Sequence, residues 1–115
     1  MSNQEARQLK IKTGSVVRLK KELALYLKER DSEQQRVNAL KQGQADKHDI
    51  KHAEDVLAEA SMIVPDTRQR LEAAVKDLAK LLEELKESPG VAGSQEQQTA
   101  AQAKLEAEQL ITSSA

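Results

Sequence analysis

His48 and His52 stand four residues apart, a spacing that places two imidazoles on one face of a helix and could serve a zinc ion. No HExxH surrounds them, the chain has no cysteine, and only Asp49 or Asp55 offers a third ligand, so an exposed polar first turn is the expected role. The triplet Thr13-Gly14-Ser15 lacks the G-x-x-x-x-G-K-[ST] spacing of a phosphate loop. No G-x-S-x-G occurs, and nothing pairs either histidine with a placed serine. The carboxylates are spread along solvated faces, where nothing would bury one and raise its pKa. No catalytic, metal or cofactor residues are therefore expected, and the sequence points away from an enzyme.

The elements that carry these residues are legible in the composition. The chain has 115 residues, of which 32% are charged and 1% aromatic; Tyr26 is the one aromatic residue. Such a chain suits long amphipathic helices rather than sheets or a deep pocket. It predicts an all-α fold in a single domain spanning 1–115. Gly-rich links at Lys41–Asp46 and Ser88–Ser94 separate helices expected over 4–41, 47–87 and 95–112. Asp46 is a candidate cap for the second helix, and Ser94 with Gln97 has capping-box spacing for the third.

Ile50, Leu57, Val64, Leu71, Leu78 and Leu85 recur every seven residues, with Ala53, Ala60, Thr67, Ala74 and Leu81 three places after the first five. This is a heptad seam, large at a and mostly small at d. Its phase is the same on both sides of Pro65. A true break would seldom preserve phase, so the spacing predicts one helix bent at Pro65. The ring falls at b, off the seam, at a helix-interior cost of about 3 kcal/mol that packing must offset. The first helix follows the same rule, with Leu9, Val16, Leu23, Arg30 and Val37 at a, and Lys12, Leu19, Tyr26, Glu33 and Leu40 at d. A short link then demands an antiparallel hairpin pairing Tyr26 with Val64 and Leu19 with Leu71. Arg30 and Glu33 interrupt the seam and are expected to be partly exposed. The third helix offers Ala100, Ala103, Ala107 and Leu110, enough to lie along residues 68–85 and the first half of helix 1, with Val75, Leu82 and Val17 receiving it. The expected product is an elongated, coiled-coil-like antiparallel three-helix bundle, three helices wide at one end and two at the other. Gly14 falls on the outer face of helix 1 and is expected to be tolerated there.

Two surfaces remain once the seams are filled. Residues 1–41 hold ten Lys/Arg against five Asp/Glu, and Leu9–Lys21 carries five basic residues and no acidic one. Lys10, Lys12, Arg18 and Lys21 are candidates for attracting an acidic partner. Nucleic acid is disfavoured because one tyrosine supplies no stacking platform. Leu25, Met62, Ile63 and Pro65 form an apolar band at the bend, a candidate protein contact. No apolar run approaches the roughly 20 residues that span a bilayer, and the opening stretch lacks a signal-peptide core, so no membrane contact and a cytoplasmic location are expected. The residues alone lead to a bent, helical, non-enzymatic binding module, with a structural coiled-coil adaptor or homodimerisation module as the alternative. The expected state is a monomer or weak homodimer. The sequence leaves the order of 107–115 open, and the small polar ending Thr112–Ala115 suggests fraying.

The stretches LKIKTGSVVRLKKEL (Leu9–Leu23) and MIVPDTRQRLEAAVKDLAKLLEE (Met62–Glu84) resemble the tubulin-binding cofactor A family of tubulin-folding chaperones. The similarity runs through K-I-K-T at Lys10–Thr13, Pro65-Asp66 and R-L-E-A-A at Arg70–Ala74, and covers helices 1 and 2 in order. It implies a rod-like three-helix bundle that holds β-tubulin downstream of the cytosolic chaperonin and passes it, among other tubulin-folding cofactors, towards αβ-heterodimer assembly. It implies no nucleotide hydrolysis and no cofactor. On that resemblance the eight candidate residues would face β-tubulin.

Overall fold

Two heptad seams joined by a four-residue link leave the chain few alternatives to a helical hairpin. The computed structural model describes residues 2–114, with side chains from Gln4 onward. It contains α1 (Ser2–Gln42), α2 (Lys47–Leu85) and α3 (Gln95–Ser113). The first helix starts two residues earlier than expected and the second ends two residues sooner. At that end the chain turns through bonds from Ser88 N to Leu85 O and from Val91 N to Ser88 O. Ser88 Oγ also donates to Glu5 Oε1 at 2.5 Å, joining the turn to α1.

The α1–α2 link is a Schellman ending. Ala45 N donates to Leu40 O at 3.0 Å and Gln44 N to Lys41 O at 3.2 Å. The residue with positive φ is Gln44 (φ 53), although Gly43 stands beside it. Asp46 then caps α2, its side chain accepting from His48 N. Ser94 caps α3 by accepting from Gln97 N, and Gln97 Oε1 returns to accept from Gly93 N at 2.7 Å. The reciprocal bond of the expected capping box thus lands one residue earlier than the cap itself.

The core follows the seam. Leu9, Val16, Leu23, Leu71 and Leu78 are fully buried, and Leu19, Val64, Val75 and Leu85 nearly so. Each such leucine contributes about 1.5–3 kcal/mol by leaving water. Val75 flanks that seam, and two further residues outside it join the core. Val91, in the second turn, is wholly buried, and Thr13 is nearly so, its hydroxyl donating to Leu9 O at 2.7 Å. Arg30 and Glu33 are half-buried, as their seam positions require.

α2 passes through Pro65 without interruption. Val64 and Thr67 are buried on either side of it and hold both halves of the helix to α1. Pro65 supplies no N–H for the Ser61 carbonyl. The Ser61 hydroxyl donates to Leu57 O at 2.8 Å and the Thr67 hydroxyl to Ile63 O at 2.9 Å, the back-bonding that bends helices gently. The Cα envelope measures 65 × 17 × 16 Å. Packed helices of this kind need about 13–15 Å across, which leaves only a few ångströms for bowing. Any bend at Pro65 is held within that margin, which excludes an elbow.

α3 lies against both long helices through Ala100, Ala103 and Ala107, all buried, with Leu110 and Ile111 packed at the margin. Lys20 Nζ meets Glu106 Oε1 at 3.0 Å. The far end is tied rather than frayed: Arg68 Nε donates to Ser114 Oγ at 3.1 Å, and its guanidinium also donates to the Ser114 carbonyl. α3 therefore stops level with Arg68, just short of Pro65, and the half beyond has two helices only. Val17, expected beneath α3, is instead 37% exposed at the edge of the α1–α3 groove.

Candidate protein-docking surface

The contacts of α3 define two flanks of the hairpin. Lys20 and Arg68 pair with α3 and mark the covered flank. Lys12, Asp77, Lys80, Leu81 and Glu84 line a shallow groove between α1 and α2 on the opposite flank. The expected basic face divides accordingly. Lys10, Arg18 and Lys21 are exposed on the outward arc of α1, and Lys10 borders a cleft with Thr13, Gln95, Glu96 and Thr99. Lys12, at seam position d, is half-buried towards α2 beside Asp77 and Glu84, separate from the other three. Arg18 is paired within its own helix, Nη1 standing 3.3 Å from Glu22 Oε1 at the exposed surface.

The apolar candidates are all exposed: Leu25 by 52%, Met62 by 75%, Ile63 by 39%, with Pro65 beside them. Heptad positions put Leu25 at c and Ile63 at g, on the flank away from α3, while Met62 at f faces outward. Pro65, at b, lies on the α3 side just past the end of that helix. The band therefore runs from Leu25 on α1 around α2 at one height instead of forming a flat patch. Residue spacing alone could have added Ile11, 53% exposed and fourteen residues before Leu25, hence at the same helical position. Leu105, on the outer side of α3, is 49% exposed.

Glu106 is held below the usual carboxylate range, first by the hydrogen bond from Gln102 and then by Lys20. Lys51 is raised by Asp55, four residues on. The His48–His52 pair sits in the exposed first turn of α2, and among the described residues no three His, Asp or Glu side chains gather as a metal site. No helix among them is long and apolar enough to cross a membrane.

Geometry of this kind, a narrow helical rod with charged and apolar residues set outward on its shaft, defines a helical binding protein. The model of one family, "Tubulin binding cofactor A", matches residues 4–105. The chain belongs to the tubulin binding cofactor A family. It is similar to tubulin-specific chaperone A of Homo sapiens, 39% identical over 87 residues that cover 76% of this chain and 81% of the relative. It is also similar to tubulin-folding cofactor A of Arabidopsis thaliana, 44% identical over 82 residues covering 71% and 73%. Among solved structures, tubulin folding cofactor A from Arabidopsis thaliana superimposes with a TM-score of 0.86 at 37% identity, covering 92% of this chain and 97% of that one. The Leishmania major tubulin-binding cofactor A gives 0.72 at 29% identity, over 92% and 95%. The relatives carry the names of chaperones and cofactors, in accord with the expectation that the chain is not an enzyme.

Proposed function

We propose that this protein is a cytoplasmic chaperone that holds β-tubulin stoichiometrically after its release from the chaperonin and passes it, together with other tubulin-folding cofactors, towards αβ-heterodimer assembly. Membership of the cofactor A family carries this reading. The exposed cations of α1 give it chemistry: Lys10, Arg18 and Lys21 attract an acidic client from a distance, and Lys12 adds charge on the neighbouring flank. Leu25, Met62, Ile63 and Pro65 supply apolar contact once the client has docked. Holding rather than catalysis is all that such a surface requires, since nothing here must titrate or react.

The test is charge reversal of Lys10, Lys12 and Lys21 to glutamate, followed by capture of β-tubulin at several salt concentrations. Weaker capture with a flatter salt dependence is expected; unchanged capture and salt dependence would remove the basic residues from the interface. The open two-helix half and its exposed Met62 support a second reading, a homodimerisation module. Light scattering at micromolar concentration separates the two, because a stable dimer would occupy the Leu25–Ile63 flank.

A further inference from the structure

Gly14 lies in the middle of a 41-residue helix, where glycine is the costliest residue short of proline. Packing does not call for it: a Cβ built there meets nothing within 4 Å, and its φ is not positive. No contact within the fold explains a glycine at this position.

The neighbours of position 14 on a helix surface are those three, four and seven residues away. Here they are Ile11 and Val17, Lys10 and Arg18, Arg7 and Lys21. All six are exposed. Arg7, Lys10 and Lys21 make no ion pair among the described residues, and no acidic residue occurs between Glu5 and Glu22. Gly14 is thus the floor of a small depression with an apolar pair and a cationic pair on its rim and two further cations at its ends. A knob-into-hole seat has this form.

We propose that the outer face of α1 around Gly14 seats one acidic amphipathic helix of the bound client. A large apolar side chain of that helix fills the space above Gly14 between Ile11 and Val17. Its flanking carboxylates, three or four residues to either side, face Lys10 and Arg18, with Arg7 and Lys21 reaching those further along. The absence of a side chain at 14 lets the two backbones approach closely. An extended acidic tail would use the cations and leave Ile11 and Val17 idle. An anionic lipid surface would favour a continuous apolar face without a notch at its centre. The inference rests on the capture proposed above and assigns it a particular seat.

Size at position 14 is the test, because enlarging the residue should stabilise the protein while weakening binding. Gly14→Ala and Gly14→Gln both restore helix propensity and should raise the thermal midpoint, by about 3–4 °C for alanine and by somewhat less for glutamine. Gly14→Gln should weaken β-tubulin capture about tenfold or more by filling the seat, with Gly14→Ala lying between it and the wild type. The salt dependence should be unchanged, since no charge is altered. Carbodiimide coupling of wild-type complex should join Lys10 or Lys21 to client carboxylates spaced three or four apart on one helix. Undiminished capture by Gly14→Gln overturns the seat while leaving the chaperone function intact; a wild-type protein that captures no tubulin sinks both. Coupling confined to an extended acidic tail, or comparable binding to phosphatidylserine vesicles, also overturns it.

Discussion

Replacing Pro65 with alanine returns to α2 a backbone donor that its sequence withholds. The helix already runs through this position, with Val64 and Thr67 buried on either side, so the substitution asks for no new fold. Alanine restores the bond to the Ser61 carbonyl and removes the ring that crowds it. Proline is disfavoured in a helix interior by about 3 kcal/mol relative to alanine. Against this, alanine gives the unfolded chain freedom that proline denied, worth about 0.4–1 kcal/mol. Pro65 is exposed, so little packing is lost with the ring. The net expectation is a gain of about 2 kcal/mol. For 115 residues the unfolding entropy is about 0.24 kcal/mol/K, which converts that gain to a rise of about 8 °C in Tm. Thermal unfolding followed by circular dichroism at 222 nm reads it directly, and chemical denaturation should show a higher midpoint at unchanged slope. A Tm that stays the same or falls would refute the reasoning. It would mean that the surroundings fit a proline, which would then be a preferred residue and not a tolerated defect.

Three further outcomes follow from the same structure. Leu71→Ala, at a fully buried seam position, should cost about 2–5 kcal/mol in denaturant unfolding; a loss below 1 kcal/mol would place Leu71 outside the shared core. Gln44→Gly should stabilise by about 1 kcal/mol, because the Schellman ending holds Gln44 at φ 53; no gain would mean that the glutamine bears that conformation without strain. The Glu106 carboxyl has a lowered pKa in the folded state, so its contribution is fully present above the ordinary carboxylate range and is lost as pH falls below that range. Amide exchange in α3, corrected for intrinsic rates, should therefore accelerate on acidification in that window, and Glu106→Gln should remove this component.

Much of the rod is written in short-range pattern. The seven-residue return from Ile50 to Leu85 fixes α2 as one helix, and its unbroken phase carries the prediction of continuity past Pro65. Caps at Asp46 and Ser94 lie where spacing places them, because a cap needs only its own next two or three amides. The candidate surface was legible in part: exposed Leu25, Met62 and Ile63 are what remains after a seam is filled, and Ile11 could have been found the same way.

Other features required three dimensions. Periodicity sets Lys12 inward of Lys10, but not that Asp77 and Glu84 would stand beside it. Val91 sits in a turn and looks like filler until the packing of α1 and α2 leaves a place for it. Gly43 is the residue type that favours a left-handed ending, but the hydrogen bonds to Leu40 and Lys41 put Gln44 there. Arg68 and Ser114 are far apart in sequence, and only the return of α3 makes them partners. Periodicity states which residues turn inward on each helix. Which side chains hold a third helix against the hairpin is settled by contacts between distant segments, Lys20 with Glu106 and Arg68 with Ser114, because no local pattern brings such partners together.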